Sequence, residues 1–190
     1  MIYSLYVGKL YVVRHGEIDY NIQGRYAGSV DVELNKKGIQ QAHDTANKAS
    51  QLNIDLIITS PLKRCTRMAN IIQKVINVPV HNSNEFCERN VGVFEGLTRE
   101  EAKKNYPELW AKNITRIYDD APLGGETIKE VEKRVYIGLQ KIKKKYNDKN
   151  TLIVTHAFVG KIIHKFFNEM NEKQFFEYKL DNAKVVEYNL

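Results

Sequence analysis

The chain has little cysteine: two residues in 190, Cys65 and Cys87. Two thiols without C-x-x-C spacing supply neither a disulfide framework nor a zinc ribbon, and they fit a reducing, cytoplasmic compartment. No run of about 18 apolar residues occurs, so no membrane-spanning helix and no membrane partner are expected. The opening MIYSLYVGKLYVV lacks the basic region and small-residue cleavage site of a secretory leader. The formal net charge is +6, but its lysines are scattered over helix faces and no aromatic-plus-basic motif accompanies them. Nucleic acid is therefore not an expected partner, whereas an anionic small molecule is compatible with the charge. Internal repeats and linkers are also missing, so residues 1–190 are read as one domain.

Hydrophobic residues make up 43% of the chain, too many for a disordered protein. Their spacing alternates between two periods. LYVV (10–13), IDLIIT (54–59), VPV (78–80), TLIVT (151–155) and KVVEY (184–188) read as strands. The runs at 54–59 and 151–155 are almost continuously apolar, as in strands covered on both faces. Between them lie helical patterns. Ser60-Pro61 reads as an N-cap with proline at the first helical position, followed by Leu62, Cys65, Ala69, Ile72 and Ile76 on one face. Thr98 with Glu101, and Thr127 with Glu130, have capping-box spacing. Residues 36–52 and 156–168 are further helical candidates, and the lysines of KIKKKYNDK suit a helix C-terminus.

Strand–helix alternation of this kind indicates an α/β three-layer sandwich with a mostly parallel central sheet flanked by helices. Residues 97–123 break the rhythm and read as a small helical insertion over one end of the sheet. In such sheets ligands sit at the carboxyl ends of strands. His15 follows one expected strand and His156 another, with the small residues Gly16 and Ala157 beside them. A lone histidine at a strand end is usually structural. Two such histidines, one flanked by Arg14, are a candidate site, whereas His43, His81 and His164 lack comparable settings. A fixed cation beside His15 favours the neutral imidazole, the form able to act as a nucleophile.

RHGEIDYN (14–21) resembles the opening signature of the histidine phosphatase superfamily, in its phosphoglycerate mutase-like branch. GRYAGSVDVELNKKGIQQA (24–42), SPLKRCTRMA (60–69), CERNVGVFEG (87–96), PLGGET (122–127) and VTHAFVGKII (154–163) follow in the family's order. The resemblance implies that His15 takes the phosphoryl group. It implies that Arg14, Arg64 and His156 surround that group, with Asn21 as a neutral donor, and that Glu88 donates a proton to the leaving group. His156 would be more useful charged once phosphate is bound. Arg25, Tyr26, Ala27, Gly28 and Ala157 would line the substrate entrance. No cofactor and no catalytic metal are implied. The physical logic agrees: phosphoryl transfer is mainly positioning and electrostatics, and arginine's planar fork suits phosphate oxygens.

The sequence departs from the family pattern at Ile18 (threonine or serine), Arg67 (glutamine), Met68 (threonine) and Ala157 (glycine). Residues 1–8 extend beyond the usual family start. Among members, the short 97–123 segment, the lack of an arginine beside Arg116 and the VFEG motif resemble phosphatases. The expected function is hydrolysis of a small phosphorylated metabolite through phosphohistidine. A phosphoglycerate mutase and an inactive phospho-ligand-binding module are the alternatives. Trp110 is expected to pack the insertion onto the core.

Overall fold

The most continuous apolar runs become interior strands. In the computed structural model, which describes residues 7–190, Thr151–Thr155 (β4) and Leu56–Thr59 (β2) are buried at every position. With Lys9–Arg14 (β1), Val80–Asn82 (β3) and Val185–Asn189 (β5) they form one sheet of order β3-β2-β4-β1-β5. Only β5 runs antiparallel, pairing Val13 with Val185 and Lys9 with Asn189. The expectations for residues 1–6 lie outside the described residues.

Period-two alternation sorts each strand's side chains into two layers. Leu10, Val12, Leu56, Ile58 and Ile153 pack on one face of the sheet, against the helices Ile128–Lys145 (α6) and Ala157–Phe167 (α7). Tyr11, Val13, Ile57, Leu152 and Val154 pack on the other, against Lys36–Ala49 (α2) and Lys63–Ile76 (α3). Each fully buried aliphatic side chain contributes roughly 1.5–3 kcal/mol through removal from water. A third cluster, Val91, Phe94, Ala102 and Ile114, holds the 97–123 segment, with Trp110 partly buried against it. That segment contains the helices Arg99–Asn105 (α4) and Pro107–Ala111 (α5) and a 3-10 turn at Ile114–Arg116. No helix among the described residues is long and apolar enough to cross a membrane.

Both expected capping boxes form: Thr98 with Glu101, and Thr127 with Glu130. Several boundaries shift by a residue, and α2 ends at Ala49 rather than at residue 52; three other differences have a visible cause. β3 begins at Val80 rather than Val78, because Pro79 has no N–H to enter the ladder and only its carbonyl pairs, with Ile57 N. β2 begins at Leu56 rather than Ile54, after Asn53 turns through φ 48°. Ser60 does not cap α3: Leu62 stays extended (φ −64°, ψ 139°), the helix starts at Lys63, and the Ser60 hydroxyl is used elsewhere. Two short helices were not expected from the sequence, Asp19–Ile22 (α1) and Glu172–Glu177 (α8).

Candidate active site

β1 and β4 are neighbouring parallel strands in register, Arg14 opposite Thr155. The residues after them therefore emerge side by side, and the His15 and His156 rings meet edge to face with centroids 5.3 Å apart. Gly16 packs directly against the backbone of α2 at Gly38. A Cβ there would lie 2.4 Å from the Gly38 carbonyl oxygen, so only glycine fits. This contact holds His15, 3% exposed, in place.

The His15 tautomer follows from its partner. Nδ1 lies 2.7 Å from the Gly16 carbonyl, which can only accept, so Nδ1 carries the proton. Nε2 is left with its lone pair. His156 is fixed in the opposite sense. The Arg64 Nε–H donates to its Nδ1 at 3.2 Å, so Nε2 carries the proton and donates to Ser60 Oγ at 2.8 Å. Arg64 is fully buried on the first turn of α3 and also donates to the carbonyls of Gly28 and Val30, both at 2.7 Å. Of its five N–H bonds, two on the terminal nitrogens remain. Arg14 donates through Nη1 to Leu180 O at 3.2 Å, while its buried Nε has no acceptor among the described residues. An unsatisfied guanidinium N–H is costly to bury, which marks that edge as one built for an acceptor.

Glu88 is half-buried and enters from the 84–89 loop. Thr155 Oγ1 donates to Phe86 O at 2.9 Å, and Arg134 donates to the carbonyls of Glu85, Cys87 and Glu88. Arg134 is in turn clasped by the Glu126 carboxylate of the GGET turn, which also accepts from Asn90 N. The Glu88 carboxylate accepts from Arg89 N at 3.0 Å and from Phe158 N, in the first turn of α7, at 3.2 Å. Glu85, Glu95 and Glu17 are occupied elsewhere: Glu85 by Lys141 and Ser83, Glu95 by Ser29 and Val91, Glu17 by Lys37 and Asn35.

Arg14, Tyr20, Asn21, Arg25, Tyr26 and Asn182 line one cavity of about 560 Å³, with Arg99 and Glu100 of α4 as its far wall. Arg25 is tied to Glu101 at 2.6 Å and to Gly96 O, so it joins α4 to the wall of this cavity. Gly28 contributes its carbonyl to Arg64 and Ala157 begins α7; neither they nor Ala27 line this cavity. Among the departures, Ile18 and Met68 are fully buried and alter packing, whereas Arg67 faces solvent. Sequence reasoning missed Ser60, Arg134 and Asn182. Asn182 donates to His15 O at 2.8 Å and Asn21 Oδ1 at 3.3 Å. The serine-proline start and the GGET turn were visible signals for the first two.

Burial is the largest cause holding His15 well below the usual imidazole value, followed by the charges of Arg64 and then Arg14. Burial and Arg64 hold His156 well below it too. Both rings should therefore remain neutral on acidification through pH 6.5, with unchanged ring-proton shifts by NMR. In the unfolded chain both would protonate near 6.5. The unfolded state then binds more protons, so this part of the stability is complete above about pH 6.5 and is lost as pH falls toward the folded-state values. A ring titrating at or above 6.5 in the folded protein would contradict this.

Comparisons with known proteins follow the same lines. The model of the histidine phosphatase superfamily (branch 1) matches residues 10–190. The uncharacterized phosphatase PhoE of Bacillus subtilis is 37% identical over 160 residues, 84% of this chain and 76% of that protein. Phosphoserine phosphatase 1 of Hydrogenobacter thermophilus is 29% identical over 92% of this chain and 83% of its own. The solved structure of the alpha-ribazole phosphatase from Shigella flexneri superposes with a TM-score of 0.86 at 23% identity, covering 94% of this chain and 89% of that one.

Proposed function

Because this chain belongs to the histidine phosphatase superfamily, its chemistry is phosphoryl transfer through phosphohistidine, and we propose that His15 is the residue phosphorylated. One observation carries the assignment. The Gly16 carbonyl accepts from Nδ1–H, which leaves the lone pair on Nε2, in a ring beside His156 and under the charges of Arg64 and Arg14. The substrate is a small phosphorylated metabolite, bound in the cavity beside Arg14.

In the first step the Nε2 lone pair forms the N–P bond as the ester P–O bond breaks, and Glu88 gives its proton to the departing oxygen. Arg14 and Arg64 balance charge on the equatorial oxygens, and Asn21 adds a neutral donor. His156, neutral before the phosphate arrives, can gain a proton once an anion lies beside it. In the second step water attacks phosphorus, Glu88 takes the water's proton, and the N–P electron pair returns to Nε2. No metal enters this reading, since the charges of Arg64 and Arg14 both act on His15 and would repel a dication beside it. Hydrolysis rather than return of the phosphate to a second hydroxyl is favoured by the short insertion, which admits water.

The test is product analysis with 3-phosphoglycerate and p-nitrophenyl phosphate in the presence of EDTA. Inorganic phosphate should be released from both, undiminished by the chelator, and faster than 2-phosphoglycerate forms. Rapid isomerisation with little phosphate would make the protein a mutase, and loss with EDTA reversed by zinc would defeat the metal-independent mechanism.

A further inference from the structure

We propose that Asn182 is a positioning residue that sets the amide of Asn21 for phosphate binding, an inference that rests on the phosphatase reading above. A side-chain amide can turn over with no change of shape, exchanging two donors for an acceptor. An asparagine in an anion site therefore works only if something fixes which end faces the anion.

Here the fixing runs through main-chain groups whose roles cannot invert. The His15 carbonyl can only accept, so the Asn182 group 2.8 Å from it is the NH₂. That same NH₂ lies 3.3 Å from Asn21, and Ile18 N–H, which can only donate, lies 3.2 Å from the same Asn21 atom. Two donors converge on one atom, which must be Oδ1. The NH₂ of Asn21 is left as the end available in the cavity that Arg14, Asn21 and Asn182 share. Asn182 thus couples the nucleophile's backbone to the orientation of a phosphate donor.

The segment bearing Asn182 is itself held firmly. Ala183 N donates to Arg14 O at 3.0 Å, and Arg14 Nη1 donates to Leu180 O at 3.2 Å. Lys161 grips the carbonyls of Phe175, Phe176 and Tyr178 just upstream. Ala183 adopts φ 58°, the left-handed region that a residue with a Cβ avoids. Strain of this kind persists where the surroundings over-determine the backbone, often beside a site. Its effect is to keep Asn182 aimed back under His15.

The experiment is a double-mutant cycle, Asn182→Ala and Asn21→Ala alone and together, read as the affinity for inorganic phosphate by titration calorimetry and as its competitive inhibition constant. Each single substitution should weaken phosphate by about tenfold, the scale of one hydrogen bond to a charged group. With Asn21 already alanine, Asn182→Ala should weaken it by less than about twofold further. The isosteric Asn182→Asp keeps the shape but offers acceptors, so it should weaken phosphate at least as much as alanine does while remaining folded by circular dichroism. Multiplying effects in the cycle, or wild-type phosphate affinity in Asn182→Asp, would overturn the proposal. Coupled phosphate binding on a chain that hydrolyses no ester would sink the phosphatase reading and leave this one standing.

Discussion

His15→Ala should lower kcat/KM by about 10⁴-fold or more, because no other group can take its part. The covalent route needs a lone pair at one point, and the geometry offers a single imidazole nitrogen there. His156 cannot substitute, since its Nδ1 accepts from Arg64 and its Nε2 donates to Ser60. Acid-labile, alkali-stable phosphate should appear in quenched wild-type reactions on the peptide containing His15, by mass spectrometry, and vanish in the variant. The variant should remain folded, because the backbone contact of this segment with α2 is between Gly16 and Gly38 and does not involve the ring. Phosphate trapped on a serine, aspartate or cysteine, or residual activity near wild type, would refute the assignment.

Arg64→Met should be damaging twice over. It deletes a charge from the proposed phosphate site and leaves the carbonyls of Gly28 and Val30 and the His156 Nδ1 without their donor. Buried acceptors stripped of partners cost about 1–3 kcal/mol each when nothing replaces the bond, and local relaxation recovers part of the sum. A net loss of about 3 kcal/mol in urea denaturation is expected, with kcat/KM lower by about 10²-fold or more. Arg64→Lys should keep the charge but gathers its donors on one atom, without the planar fork that spreads them toward the His156 Nδ1 and the Val30 and Gly28 carbonyls, so it should fall between wild type and methionine in both measurements. A stable, active Arg64→Met would mean that the guanidinium contacts are incidental.

These residues differ in how openly the sequence announced them. His15 and His156 were legible because each ends an apolar run, and a parallel sheet sets such ends together. Arg64 was legible through its motif, but not the fact that two of its five N–H bonds are spent on main-chain carbonyls. Nor was the order of causes on His15, where burial outranks the adjacent Arg14. Ser60 was misread because serine before proline has the form of a helix cap, and only the position of the His156 ring shows where its hydroxyl goes. The helix α8 carried its own signal, Asn171 with Gln174 in a capping box, yet six residues give too little periodicity to read. Asn182 could not be read locally at all. Its partners lie more than 160 positions away, at His15 and Asn21, and only the antiparallel return of β5 beside β1 brings it there.

The strand order also dictates when the enzyme can come into being. β1 is made first, but both its neighbours, β4 and β5, lie within residues 151–189. On the ribosome, an early strand must wait through most of translation with two unpaired edges. β2 has no bridge to β1 until β4 inserts between them. Such long-range closure is slow and leaves apolar edges open to wrong partners. A chain stopped before residue 151 would therefore have neither a completed sheet nor a paired histidine, and would be a substrate for chaperones and proteases rather than a weak phosphatase.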